Sequence, residues 1–165
     1  MERLWAPWRM EYIEKASCSA CFICAAFQAP KEQDARNLVV YRNETAMVIM
    51  NRYPYNNGHL MIAPILHGVI FEELPAASLA EIDRLSQMVV RLMNQLFNPH
   101  GFNLGYNIGR TAGAGLVDHL HLHIVPRWNG DTNFMPVLGD TRVISEALDK
   151  TYSKLKQAFD VMVTH

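Results

Sequence analysis

With 165 residues, half of them hydrophobic and 19% charged, the chain is long enough for one domain with a substantial core. A formal net charge of −1 excludes the broad basic field that long nucleic acids require, while leaving room for a local anion site. No apolar run reaches membrane-spanning length and the first residues, MERLWAPWRM, have no signal-peptide core, so the expectation is a cytoplasmic protein with neither nucleic acid nor membrane as partner.

Residues 1–16 carry Trp5, Trp8, Met10, Tyr12 and Ile13. They are too apolar for a free tail and predict an aromatic arm, residues 1–17, packed on the body or on a partner subunit. Cys18-Ser-Ala-Cys21-Phe-Ile-Cys24 follows, with two overlapping C-x-x-C pairs. An odd number of thiols at this spacing argues against a disulfide framework. One pair gives two thiolates to a tetrahedral zinc, which wants two further ligands. No second cysteine pair exists, so histidines would complete the set, with Cys21 and Cys24 the preferred thiols. A redox dithiol and inert buried thiols are the alternatives.

The polar stretch 28–36, with Pro30, predicts a loop. Asn37–Arg42 and Thr45–Met50 read as a hairpin about an Asn43-Glu44 turn. Asn51 to Gly58 is dense in turn formers, His59–Pro64 is a third strand, and His67 falls in the loop beyond. Three strands in succession favour a meander. Ser78 and Glu81 have the spacing of a capping box that opens a long helix. Its apolar stripe is Leu79, Ile82, Leu85, Val89, Leu92, Met93 and Leu96, and Asn98-Pro99 ends it. Gly101–Ile108 is strand four, with Asn107 near its end. Gly109 to Gly115 is a glycine-rich loop whose backbone N–H groups, at Gly113 and Gly115 among others, could approach phosphate oxygens.

That loop runs into residues 116–128, Leu-Val-Asp-His-Leu-His-Leu-His-Ile-Val-Pro-Arg-Trp. His119, His121 and His123 alternate with Leu120, Leu122 and Ile124. A period of two predicts a strand with three imidazoles on one face and three aliphatic side chains on the other. The chain has only seven histidines. Three in this register point to a metal site or to nucleophilic and acid–base chemistry. A loop over 129–141 and a closing helix over 141–163, marked by Val143, Leu148, Tyr152, Leu155, Phe159 and Met162, complete a single α+β domain spanning residues 1–165. No internal repeat or domain boundary is visible.

A histidine that attacks phosphorus must be neutral and oriented, and an ordinary imidazole meets the first need near neutral pH. It would form a covalent phosphoramidate and split one hard displacement into two easier ones. Neighbouring histidines can fix its tautomer or donate to phosphate oxygens, and a glycine-rich turn adds oriented N–H donors.

The run His119-Leu-His121-Leu-His123-Ile-Val resembles the His-φ-His-φ-His-φ-φ signature of the histidine-triad superfamily, φ being apolar. Asn51 to His59, read as Asn-Arg-x-Pro-x-x-x-Gly-His, is similar to the family's ribose-binding and upstream-histidine segment. Residues 4–13, 51–64, 99–107 and 125–134 further resemble the bacterial diadenosine tetraphosphate phosphorylases of that superfamily. The resemblance implies a HIT-like fold, an antiparallel sheet of about five strands with one long central helix and a C-terminal helix, assembled as a homodimer. It implies nucleotidyl transfer at the α-phosphate of dinucleoside polyphosphates, with phosphate or water as acceptor and no organic cofactor.

Residue by residue, the resemblance makes His121 the nucleophile, His123 a phosphate contact and His59 a supporting histidine. Asn51 would bind the ribose, and Asn107 would stand beside the phosphates. Some members hold structural zinc with a C-x-x-C pair, a histidine after the third strand and the first triad histidine; Cys21, Cys24, His67 and His119 match that set. Cys18 is extra. Where many members have Gly-Gln-Ser/Thr before the triad, this chain has Ala114-Gly115-Leu116, which lacks the hydroxyl and the amide; Thr111 or backbone N–H groups would take their place.

Three competing readings follow from the same residues. Nucleoside phosphoramidate hydrolysis would use the same machinery with an amine leaving group. Catalytic zinc on His119, His121 and His59 would make turnover sensitive to chelation. A zinc-stabilised nucleotide-binding module would be indifferent to loss of His121.

Overall fold

A computed structural model describes residues 21–131 and 144–164. The aromatic arm, Cys18 and Val143 lie outside the described residues. The elements in chain order are α1 (Phe22–Gln28), a 3-10 turn (Lys31–Gln33), the single turn α2 (Asp34–Asn37), β1 (Val39–Arg42), β2 (Ala46–Met50), β3 (Leu60–Pro64), a 3-10 turn (Phe71–Glu73), α3 (Ala76–Phe97), β4 (Gly101–Tyr106), a 3-10 turn (Arg110–Ala112), β5 (Leu122–Arg127) and α4 (Leu148–Thr164). The five strands form one antiparallel sheet in the order β1-β2-β3-β5-β4. The expected meander is therefore real for β1 to β3, after which β5 inserts beside β3 and leaves β4 at the edge.

The hairpin turn is built by Asn43. Its side-chain oxygen accepts from the backbone N–H groups of Thr45 and Ala46 and from the Thr45 hydroxyl, an Asx turn. Its amide also donates to Glu81 of α3 at 2.7 Å, tying the hairpin to the long helix. The α3 stripe Ile82, Leu85, Val89, Leu92 and Met93 is almost wholly buried. This helix packs on β2, β3 and β5, and α4 packs on β1 and α3. Leu155 and Phe159 of α4 are fully buried, and the Tyr152 hydroxyl donates to the Val39 carbonyl. Burying a side chain of this size contributes about 1.5–3 kcal/mol relative to exposure.

Several local expectations change. The helix has Pro75 as its N-cap, three residues before Ser78, and Pro75 provides no side-chain cap. Glu81 is instead engaged by Arg84 and Asn43, so the capping box does not form. Residues 31–36, expected within a loop, and Asn37, expected to open the first strand, make a 3-10 turn and one helical turn, closed by Leu38 in the left-handed region at φ 62°. Among the described residues, the closing helix starts at Leu148 rather than Val143's neighbourhood, because 144–147 are irregular. The histidine strand begins only at Leu122. Register would next bring Ala63 and Pro64 opposite His121 and Leu120. Proline has no N–H to donate, and the Pro64 carbonyl is taken by the His119 ring, so the ladder stops there.

Candidate active site and metal centre

His119 lies at the end of a run of bends, His121 immediately before β5, and His123 on β5 itself. All three are buried, as is His59 at the mouth of β3. They do not form one row. His119 turns towards the N-terminus of α1, whereas His121 and His123 stay together with ring centroids 4.8 Å apart in an edge-on arrangement.

The first cluster joins three distant segments. Cys21 occupies the N-cap of α1, its sulfur accepting from the Cys24 N–H at 3.4 Å. His119 Nδ1 stands 3.3 Å from Cys21 Sγ and 3.4 Å from Cys24 Sγ. His67 Nδ1 stands 3.3 Å from Cys24 Sγ and 3.4 Å from His119 Nδ1. All four donor atoms fall within 4.8 Å of one another, a set that could hold a metal ion. In a tetrahedral zinc site, bonds of about 2.3 Å to sulfur and about 2.0–2.1 Å to nitrogen put neighbouring donors roughly 3.3–3.8 Å apart. The donor types and spacings fit that group. His119 Nε2 lies 2.7 Å from the Pro64 carbonyl. A carbonyl only accepts, so this nitrogen carries the proton and Nδ1 presents its lone pair to the cluster. Burial pushes the His119 pKa down, the Pro64 carbonyl opposing, and so favours this neutral, ligating form.

Arg42 of β1 secures the other end of the α1 scaffold. Its guanidinium donates to the carbonyls of Ala26, Phe27 and Ala29 at 2.9–3.1 Å. Those are carbonyls at the C-terminal end of α1, where helical partners run out. Sequence reading missed both this helix and its anchor. A seven-residue helix has too few turns for a periodic signal.

The second cluster has a fixed proton direction. The backbone N–H of Tyr55 donates to His59 Nδ1 at 3.1 Å. In a neutral His59 the proton is then on Nε2, which donates to His123 Nδ1 at 2.9 Å. This leaves the His123 proton on its Nε2, pointing towards Asn107, whose side-chain nitrogen is 3.4 Å away. The carboxamide oxygen is the Asn107 atom that suits such an N–H. His121 is set oppositely. Its Nδ1 lies 2.8 Å from the His119 carbonyl and so carries the proton, making Nε2 the lone-pair nitrogen. Burial pushes the His121 pKa below the ordinary value, with the carbonyl contact partly opposing, so the ring is neutral near pH 7.

Tyr55, an unanticipated member, stacks at 5.9 Å from His123 and leans on His59 at 4.6 Å. Its only sequence signal is an aromatic residue amid turn formers. Asn51 is buried at the end of β2, where its side-chain oxygen accepts from the Tyr53 N–H at 2.9 Å and its own N–H bonds the His59 carbonyl. Gly58 sits at φ 74°, a left-handed conformation that any side chain would strain, and an added Cβ would also come 2.7 Å from the Met93 methyl, which would have to shift. It lets the chain turn close to α3 just before His59. In the glycine-rich loop Gly113 adopts φ 87° and directs its N–H to the Arg110 carbonyl at 2.9 Å, so that amide serves the turn. Gly115 is partly buried and Thr111 exposed.

A cavity of about 350 Å³ opens beside His123. Tyr55 and Asn56 form one side, Asn103, Gly105 and Asn107 of the β4 segment another, and Arg127 with Asp131 its end. The metal-type reading of His119, His121 and His59 as one zinc site does not fit this arrangement. His119 Nδ1 faces the thiols, and His59 faces His123.

The family model described as "HIT domain" matches residues 32–130. The chain belongs to the HIT, or histidine-triad, family. A Mycobacterium tuberculosis protein named AP-4-A phosphorylase is 38% identical over 157 residues, covering 92% of this chain and 80% of that protein. Among solved structures, a zinc-bound histidine-triad family protein from Mycobacterium smegmatis matches at 26% identity and TM-score 0.67, covering 88% of this chain and 96% of that one. A hypothetical histidine-triad nucleotide-binding protein from Sulfolobus tokodaii matches at 25% identity and TM-score 0.67, covering 86% and 93%.

Proposed function

We propose that this HIT protein is an enzyme that cleaves dinucleoside polyphosphates by transferring a nucleotidyl group through His121. The observation that carries the reading is the His121 ring: buried, neutral, and anchored through Nδ1 so that Nε2 is the nucleophilic nitrogen. The name of the mycobacterial relative supplies the substrate class and favours phosphate as acceptor.

In the first step His121 Nε2 attacks the α-phosphorus, the P–N bond forms, and the P–O bond to the polyphosphate breaks. The leaving nucleotide carries away the bond's electron pair. His123 Nε2–H, held in that tautomer by His59 and Tyr55, donates to the phosphoryl or leaving-group oxygens. Asn107 stands beside the same nitrogen. Asn51 receives the ribose of the transferred nucleotide. In the second step an oxygen of inorganic phosphate attacks the nucleotidyl-histidine and the P–N bond breaks. Diadenosine tetraphosphate would thus give ATP and then ADP. With water in place of phosphate, the second product would be AMP.

Cys21, Cys24, His67 and His119 would hold zinc, with a structural role: four protein ligands leave no open position for substrate. The zinc-bound M. smegmatis neighbour supports the identity of the metal. Thiolate ligands of this kind also suit a reducing, cytoplasmic setting. Among the described residues, no helix is long and apolar enough to cross a membrane. We assign a homodimer, supported by β4 as an edge strand with exposed Leu104 and with Ile108 exposed just beyond it. The whole chain would act as a single domain.

The deciding experiment incubates the protein with labelled diadenosine tetraphosphate, with and without phosphate. ATP plus ADP only when phosphate is present, together with an acid-labile adenylyl group on His121 by mass spectrometry, is the expected result. No nucleotide product and no adduct would sink the proposal. Metal analysis should give close to one zinc per chain, and light scattering a mass of two chains.

A further inference from the structure

We propose that Gly105 is a specificity-determining residue, whose missing side chain keeps open the subsite for the leaving half of a dinucleoside polyphosphate. The inference rests on the reading above and extends it to a residue and a region of the sheet.

Strand order supplies the direction. The sheet runs β2, β3, β5, β4, so Asn51 at the end of β2, His59 before β3, His123 on β5 and Gly105 on β4 follow one another across it. A ribose at Asn51 and an α-phosphate at the histidines leave β4 as the side on which the remainder of the substrate must lie. The cavity lies on that side, lined by His123 and by residues of β4 but not by Asn51.

Register supplies the space. Gly105 pairs with His123, so a side chain at position 105 would stand directly across from the imidazole, with Cβ atoms about 4.5–5.5 Å apart. The next pair on that face is Asn103 with Val125, and the one after is Gly101 with Arg127. Glycine usually marks a left-handed backbone or a close approach, and neither operates here. Gly105 is not among the positive-φ glycines, and a Cβ built on it meets nothing within 4 Å. A glycine inside a strand weakens it, so its presence needs another reason. Open space against His123 is the one the geometry offers.

The cavity's end wall indicates what fills that space. Arg127 meets Asp131 through two bonds, Nε to Oδ2 at 2.7 Å and Nη2 to Oδ1 at 2.8 Å, and donates through Nη1 to Asn103 at 2.7 Å. Asn56 also donates to Asp131, at 2.8 Å. The arginine charge is matched by a carboxylate, so this end is not built to take a terminal phosphate. It offers amide edges and planar groups, with the Tyr55 ring along one side. That chemistry suits the base or ribose of a second nucleoside, with the bridging phosphates near His123 and Asn107. A small leaving group would make no use of it.

The test uses the full-length, metal-loaded protein and two substrates: diadenosine tetraphosphate, and adenosine 5′-phosphoramidate, whose leaving group is ammonia. Gly105→Val should move the ratio of kcat/KM values against the dinucleotide by about 30-fold or more, and Gly105→Ala by about 3- to 10-fold. Proportional losses on both substrates, or no loss on either, would overturn the proposal. If Gly105→Val loses its metal or its thermal transition, Gly105→Ala decides. A second measurement separates this inference from the reaction it rests on. In the His121→Asn protein, calorimetric binding of diadenosine tetraphosphate should weaken about tenfold on adding Gly105→Ala or Gly105→Val, with a smaller change for AMP. If the wild type forms no histidine adduct but this binding difference holds, the enzymatic reading fails while the subsite stands. Equal weakening of both ligands removes the subsite.

Discussion

His119 and His121 are two residues apart in one motif, and each donates one ring proton to a main-chain carbonyl, yet the two rings are set in opposite tautomers. His119 is protonated at Nε2 by its contact with Pro64 and turns Nδ1 to two thiols and His67. His121 is protonated at Nδ1 by its contact with the His119 carbonyl and keeps Nε2 as its lone-pair nitrogen. The difference is made by which carbonyl lies within reach, a property of backbone placement, not of residue type. It also makes the Cys/His cluster and the proposed reaction site neighbours in the chain: the residue that would ligate zinc through its ring would orient the proposed nucleophile through its carbonyl.

The largest expected effect separates the two. His121→Asn should lower nucleotidyl transfer by about 10⁴-fold or more, since the covalent route is lost, while zinc content and melting temperature stay near wild type. A fall in metal content would mean that the two regions are not independent. Cys24→Ser should do the reverse. Its metal should be lost in analysis after dialysis, and a loss of roughly 3–5 kcal/mol should lower Tm by about 10–15 °C in a chain of this size. Activity of the fraction that remains folded should decline less than Tm suggests; complete inactivity of a folded, zinc-free protein would make the cluster part of the reaction. His59→Phe comes next. It keeps a ring beside Tyr55 but removes the donor to His123 Nδ1, freeing the other tautomer. A loss of about 10- to 100-fold in kcat with little change in KM is expected. His59→Gln, which can restore a donor, should recover part of it; no recovery would favour a purely packing role.

The parts of this arrangement that depend on residue type were readable from the chain alone. Cys21, Cys24, His67 and His119 form one set by resemblance alone, and they converge. The hairpin is legible as two apolar, β-branched runs about Asn43-Glu44, and the α3 and α4 stripes as helical periodicity, which reports burial. What escaped depends on long-range partners. The start of β5 is decided by Pro64 on another strand, and the failed capping box by Asn43, which draws Glu81 away from the helix start. The His59–His123 pair needed the β3–β5 register, and Gly105 gains its meaning only from pairing with His123. A residue that contributes by having no side chain leaves no motif to find.

The smallest effect concerns how the metal half is attached to the sheet. Arg42 donates to three carbonyls at the end of α1 and stands 2.9 Å from Asp34 Oδ1, an ion pair outside hydrogen-bond geometry. Arg42→Met keeps the aliphatic stem and removes these contacts. A cost of about 1–3 kcal/mol, or roughly 3–10 °C in Tm, is expected. The rate per active site should be unchanged, because neither His121 nor His123 touches this network. The loss should also depend on pH in a definite direction. Burial pushes the Asp34 carboxyl above its usual pKa, and Arg42 is the foremost of the charges that pull it back. Without Arg42 the folded-state pKa rises further. A group whose folded pKa is raised contributes its stability below the unfolded pKa and loses it as pH climbs through the folded value. The deficit of Arg42→Met relative to wild type should therefore be smaller near pH 4.5 than near pH 7.5. Loss of metal ligation at low pH affects both proteins and cancels in the difference. Adding Asp34→Asn to Arg42→Met should restore part of the stability at pH 7.5 by removing the unmatched carboxylate. A deficit independent of pH and untouched by that second change would mean that Arg42 acts on the helix carbonyls alone.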